Sequence, residues 1–370
     1  MPPPDTLSRP RLFKLPPNRV WRTYQGGRTL DEIAGADDPA DSHFPEDWVA
    51  SVTRAVNPGR ESIAEGISTV RVGDTDISLP DLLAADPEYF LGHDHVRAFG
   101  PDPRLLVKIL DPSIRLHLQV HPTAEFARQH LGSPSGKAEA YRILEVREDQ
   151  RDPHVYMGFR HDIAKETLRR WIRQQDIAGI KNAMHRISVR PGDTLFVPGG
   201  CPHALGAGIL LVEIQEPTDW VVRFEFERGG YTLPKEARFM GRGLEFCLDV
   251  FDRAGSPIEA LRTAAVPHPS AVDGEDGVWQ TEQLIGPATT PCFRLHRTRV
   301  HKPTTLRNDG FSIGIVTDGA ADLEVDSSRL SLRRFDKCLL PAAAGEYRVH
   351  PHDNGVTLLE CRPPEPVISS

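Results

Sequence analysis

The chain has 370 residues, 39% hydrophobic and 26% charged, the composition of a globular protein with core enough for one large or two ordinary domains. A formal net charge of −8 argues against a general nucleic-acid surface, and no apolar run approaches the about 18 residues that would suggest a membrane span. Thirty-three prolines and 30 glycines favour turns and short strands over a helical bundle.

Five widely spread cysteines, odd in number and without a CxxC pair, suit a reducing cytoplasm better than a disulfide framework. The opening residues lack an apolar core, so no secretory signal is expected. In chain order, residues 1–20 are Pro-rich and expected to lie extended over the surface. Residues 18–27 read as strand or loop into a glycine turn, 46–51 as a short strand, 79–100 as helical, and 105–110 as a buried strand. Residues 116–122 alternate as a strand, 123–131 as a short amphipathic helix, and 136–146 and 155–159 as strands. The clearest helical stretch is 163–185, with Leu168, Trp171 and Ile172 at helical spacing. Residues 187–197 read as strand, Pro-Gly turn and strand, followed by strands at 209–215 and 220–226.

The expected architecture is therefore mainly β, with a helical excursion in the N-terminal half. Residues 1–230 form a first β domain with helical insertions, 231–290 a connector with a helical piece near 257–263, and 291–370 a second β unit. The two β units share a spacing. Gly192, Pro198, Gly200 and His203 give G-x5-P-x-G-x2-H, and Phe335, Pro341, Ala343 and Glu346 repeat it in degraded form. That is the pattern of a duplicated barrel whose second copy has lost its ligands.

The chemistry concentrates on residues 116–122. At strand period His117, Gln119 and His121 share one face, and burying that much polarity is unfavourable without a partner. The Pro198-Gly199-Gly200 bend would place His203 at a strand start facing a barrel mouth. With Gln119, His121 and Glu139 it makes two imidazoles, one carboxylate and one amide, and two His plus a carboxylate with an open position is catalytic zinc chemistry. Other first-row divalent ions would suit the set nearly as well.

The blocks Gln119-Val120-His121-Pro122, Gly136-Lys137-Ala138-Glu139 and Val197-Pro198-Gly199-Gly200-Cys201-Pro202-His203-Ala204 resemble the type I mannose-6-phosphate isomerases, zinc-dependent cupin proteins. Further echoes are residues 106–111, 213–215 and 219–223. The resemblance implies two jelly-roll cupin units, the first catalytic and the second degenerate. It implies one Zn²⁺ per chain held by Gln119, His121, Glu139 and His203, with Lys137 and Arg223 facing the substrate as catalytic and binding groups.

The implied reaction is an aldose–ketose isomerisation, mannose 6-phosphate to fructose 6-phosphate through a cis-enediolate, carried out in the cytoplasm on a small sugar or sugar phosphate. Neither nucleic acid nor membrane is an expected partner, and the oligomeric state is left open. A water on the metal, a carboxylate or Lys137 could each move the proton. One residue departs from the family. At His117 the family carries a small hydroxyl residue that helps hold the substrate phosphate, and an imidazole there would crowd a phosphate or replace its contact. It could instead touch a sugar hydroxyl, bind the metal or shuttle a proton, with Arg54 and Arg228 as candidate replacement anion contacts. An isomerase of an unphosphorylated or modified sugar, or a sugar-sensing metal cupin without turnover, are the competing readings. Cys201, beside the glycine-rich bend, is expected to be a small buried thiol.

Overall fold

Alternating apolar residues in short Gly- and Pro-bounded segments give sheets here. The computed structural model describes residues 11–366. Among these residues one sheet runs Thr194–Val197, Glu139–Val146, Ile209–Gln215, Leu106–Leu110, Glu46–Val49, Arg19–Val20. A second runs Met184–Ser188, His154–Phe159, His203–Leu205, Gln119–Val120, Val222–Arg223. Tyr141, Ile143 and Leu211 from the first pack with Val155, Met157 and Leu205 from the second, so the two sheets enclose an interior.

The C-terminal sheet follows the path Phe13–Leu15, Lys337–Leu340, Ser312–Val325, Glu346–Arg362, Arg294–Val300, Trp279–Ile285, Ser270–Glu275. Strands Thr304–Arg307 and Ser328–Arg333 attach to its long central members. Its inner side shares a core with the first sheet, where Val107, Ile109 and Ile214 meet Phe293, Leu295, Ile313 and Leu359. A buried ion pair between Lys337 and Asp47 crosses the same boundary.

Several elements differ from the sequence expectation for local reasons. Of the Pro-rich segment 1–20, residues 1–10 lie outside the described residues, while Phe13–Leu15 pairs with Lys337–Leu340 and buries Phe13 and Leu15. The stretch 79–100 is three short helices, Leu79–Ala85, Pro87–Leu91 and His93–Phe99. Asp86 caps the second by accepting from the Tyr89 N–H, and Gly92 at φ 89° separates it from the third. The stretch 163–185 divides into Lys165–Gln174 and Ile177–Ala183, because Gln175 turns to φ 51° and Asp176 caps a new helix on the Gly179 N–H. Leu168, Ile172 and Ile180 cover the outer face of the second sheet against Leu118, Val120 and Ala204.

Strands Ser270–Glu275 and Trp279–Ile285 were not read from the sequence; the first is wholly exposed and carries no hydrophobic period. Among the described residues no helix is long and apolar enough to cross a membrane.

The repeated spacing has a structural counterpart. Gly192 (φ 94°) and Phe335 (φ 69°) both sit in left-handed turns just before strands Thr194–Val197 and Lys337–Leu340. Pro198 and Pro341 end those strands, and His203 and Glu346 begin the next. His203 is buried and Glu346 is exposed, so the second copy keeps the turns and loses the inward side chain.

Candidate metal and substrate site

Gln119 lies between His203 on one neighbouring strand and Arg223 on the other. Glu139 begins its strand in the opposite sheet, between Val197 and Gln215. Only two residues of the expected strand 116–122 make ladder pairs. The Leu118 N–H donates to the Glu225 carboxylate at 2.9 Å instead of to a strand, which leaves His117 and Leu118 extended outside the ladder.

Two glycines let the segments close on the turn after His121. A Cβ at Gly136 would fall 2.4 Å from the Pro122 carbonyl oxygen, and one at Gly199 2.8 Å from Thr123 Cα. In that space the Lys137 N–H donates to the Pro122 carbonyl at 3.0 Å, and the Gly200 N–H donates to the His121 carbonyl at 2.7 Å.

The imidazoles are set by backbone carbonyls. His121 Nδ1–H donates to the Trp220 carbonyl at 2.8 Å, and His203 Nδ1–H donates to the Cys201 carbonyl at 2.9 Å. Each Nε2 is thereby left with a lone pair turned toward Glu139, at 3.1 Å from Oε1 for His121 and 3.5 Å from Oε2 for His203. Ligand atoms of His121, Glu139 and His203 lie within 4.8 Å of one another, all buried. Lone pairs and a carboxylate converging in a dry place repel each other unless a cation lies among them, so the donor set fits a divalent metal. The Gln119 amide stands 3.2 Å from His203 Nε2, and a flipped amide would bring its oxygen to the same point.

The electrostatics agree with that geometry. Burial and the neighbouring Lys137 ammonium push the His121 imidazole down to about 3. Burial would raise the Glu139 carboxyl, but Lys137 and His121 outweigh it and hold it well below the usual range. Tyr141 fixes the carboxylate by donating to Oε2 at 2.6 Å, while Oε1 makes no well-formed hydrogen bond although Lys137 Nζ lies 2.7 Å away.

Beside the cluster is a small cavity of about 20 Å³, lined among others by His117, Gln119, Lys137 and Arg223. Arg223 is buried, donates to the Ala237 carbonyl at 3.1 Å, and is pushed down to about 10 by burial and by Arg22. His117 is buried and donates from Nδ1–H to the Glu225 carbonyl at 3.0 Å. Burial and Arg223 take its imidazole down to about 4, and it stands outside the three-residue metal group. Arg223 also lines an outer cavity of about 450 Å³ with Arg54, Trp220 and Met240. Arg54 is exposed there, donating to the Glu61 and Ile63 carbonyls, whereas Arg228 is turned to the Arg115 carbonyl at 3.0 Å. Cys201 is buried, and burial pushes its thiol up to about 12.

No family profile matches the chain. A Bacillus subtilis protein named probable mannose-6-phosphate isomerase GmuF is 36% identical over 140 residues, 36% of this chain and 42% of that protein. A Streptococcus mutans mannose-6-phosphate isomerase is 26% identical over 327 residues, 87% of this chain and 89% of that protein. Among solved structures, the mannose 6-phosphate isomerase of Bacillus subtilis superposes with a TM-score of 0.73 at 20% identity, over 95% of this chain and all of that one. A zinc-bound holo mannose 6-phosphate isomerase superposes with a TM-score of 0.69 at 15% identity, over 96% of this chain and 100% of that chain. In sequence and in fold the chain is similar to mannose-6-phosphate isomerases.

The mainly β chain shares the fold of these enzymes, and the buried His121, Glu139 and His203 cluster is arranged to hold one divalent ion. The structure adds residues that the sequence reading did not place in the site. Lys108 Nζ lies 3.2 Å from Glu213 Oε1 and 3.8 Å from Glu46 Oε2, and 4.8 Å from the centre of the Trp48 ring. Burial and Glu139 raise the Glu213 carboxyl, with Lys108 opposing. Beneath them Arg22 joins Glu46 at 3.1 Å to Asp219 at 2.9 Å. The signal was present: Lys108 and Glu213 are single charges inside the apolar runs 105–110 and 209–214, where an unpaired charge would be strongly unfavourable.

Proposed function

We propose that this chain is a zinc-dependent aldose–ketose isomerase interconverting mannose 6-phosphate and fructose 6-phosphate through a cis-enediolate, in the cytoplasm. Residues 1–230 carry the catalytic site in this reading, and residues 291–370 form a degenerate β unit with a packing role. The observation that carries it is the convergence of two carbonyl-locked imidazole lone pairs on Glu139, with Lys137 and Arg223 among the cations at the adjoining cavity.

Gln119, His121, Glu139 and His203 would hold the ion. A bound zinc ion supplies electrophilic polarisation of the sugar carbonyl. Lys137 and Arg223, buried and relieved of water, stabilise the negative charge that develops on the enediolate oxygens. Moving the proton between C2 and C1 needs a titratable group at the cavity that is not occupied in holding the metal. Lys137 lies 3.2 Å from His121 Nε2 and 2.7 Å from Glu139, and the Lys108–Glu213 pair at the cavity wall is the carrier in this reading.

The names of the curated relatives support mannose 6-phosphate as the substrate. An unphosphorylated or modified sugar is the second reading, favoured by the buried His117 imidazole at the cavity. A coupled isomerase assay on mannose 6-phosphate and on mannose, with and without chelator, tests both. Turnover should vanish with chelator and return with zinc. Activity indifferent to chelator would remove the metal from the mechanism, and no turnover of either sugar would favour a sugar-sensing protein.

A further inference from the structure

Among the described residues His117 Nε2 is buried and has no hydrogen-bond partner. Since Nδ1–H is given to the Glu225 carbonyl at 3.0 Å, Nε2 offers a lone pair to whatever lies beside it. The orientation is braced. Arg115 grips the Glu225 carboxylate at 2.6 and 2.8 Å, and the Leu118 N–H holds the same carboxylate at 2.9 Å. Turning the ring would cost the buried hydrogen bond to the Glu225 carbonyl, on a residue that this ion pair anchors. It lines the cavity that Gln119, Lys137 and Arg223 also line. A buried acceptor left unmade is a liability unless a ligand brings the missing hydrogen.

We propose that His117 Nε2 accepts a hydrogen bond from a hydroxyl of the bound sugar, and so selects against an ionised phosphate at that position. This rests on the isomerase reading above and, within it, favours the second substrate class, a sugar presenting a neutral hydroxyl there, over the phosphosugar. A hydroxyl completes the lone pair, whereas a phosphate oxygen meets it acceptor to acceptor. Lys137 and Arg223 still attract anions, so discrimination is the difference between those opposing effects.

The test compares kcat/KM for mannose 6-phosphate and for mannose in the zinc-loaded wild type, His117→Ser and His117→Asn, with zinc content measured on each. In variants that retain zinc, the ratio of phosphosugar to free sugar should rise by about tenfold or more. A ratio unchanged from wild type overturns the proposal. Nitrogen-15 NMR of the wild-type histidines with mannitol gives an answer independent of folding in the variants. The His117 Nε2 signal should move as it accepts a hydrogen bond, and an unmoved signal at saturating mannitol overturns the proposal as well. If neither sugar is turned over but that signal moves, the contact stands and the isomerase reading fails.

Discussion

Replacing Arg22 by Met tests whether the ion pairs under the site hold it in shape. The guanidinium donates to Glu46 at 3.1 Å and to both Asp219 oxygens at 3.1 and 2.9 Å, with the Arg22 and Asp219 side chains 7% and 2% exposed. Burial would raise the Asp219 carboxyl, yet Arg22 holds it far below the ordinary carboxylate range. Without Arg22, Glu46 keeps Tyr24 at 2.6 Å and the Trp48 indole N–H at 2.7 Å, but Asp219 keeps only the Val56 N–H at 3.0 Å among its close donors. An uncompensated buried carboxylate of this kind is expected to destabilise the fold by about 3–5 kcal/mol.

The assay is equilibrium urea unfolding of the zinc-free protein, followed by tryptophan fluorescence and by circular dichroism, so that metal linkage does not mask the change. Asp219→Asn in the same background should recover part of the loss, because it removes the stranded charge. Zinc affinity should also fall, by about 10–100-fold, since Asp219 anchors the loop whose next carbonyl, Trp220, orients His121 at 2.8 Å. A destabilisation below about 1 kcal/mol, the level of an exposed pair, would refute the argument that this network is dry.

Other outcomes follow from the same geometry. His121→Ala and His203→Ala should each strip zinc and activity together by metal analysis and rate assay, while Arg223→Ala should keep zinc and lose about 10²–10³ in kcat; an undiminished rate would remove Arg223 from its role. Gly136→Ala should destabilise by about 1–3 kcal/mol in thermal or urea unfolding, because its Cβ would lie 2.4 Å from the Pro122 oxygen beside His121; wild-type stability would show that the turn can give way. Glu46 and Glu225 are held below the usual carboxylate range, against the opposing effect of burial, by Arg22 and Arg115 respectively. Their contribution to stability is therefore complete above the unfolded carboxyl value of about 4 and lost as pH falls below it, which acid unfolding with and without Arg115→Met would reveal as a smaller acid-side slope in the variant.

Much of the donor chemistry was legible in the chain itself. Alternation set Gln119 and His121 on one face, and the Pro-Gly bend delivered His203 to the start of a strand. The turn spacing of Gly192 and Pro198 recurs at Phe335 and Pro341 around strand Lys337–Leu340. These features are local, encoded in period, turn residues and spacing, and they survive whatever the rest of the chain does. Ser270–Glu275 shows the opposite case: its residues are exposed, and only a partner strand makes it a strand.

What the sequence by itself determined is which atoms are available to bind a cation and which elements carry them. Tertiary structure decided how those atoms point. The Trp220 and Cys201 carbonyls choose the histidine tautomers, and Glu225 interrupts the strand at Leu118 with its carboxylate and holds His117 with its backbone carbonyl. It also turned two solitary charges, Lys108 and Glu213, into a buried pair at the wall of the cavity. The reason is physical: hydrophobic period is written into neighbouring residues, but a hydrogen bond or ion pair depends on where a group distant in sequence comes to rest.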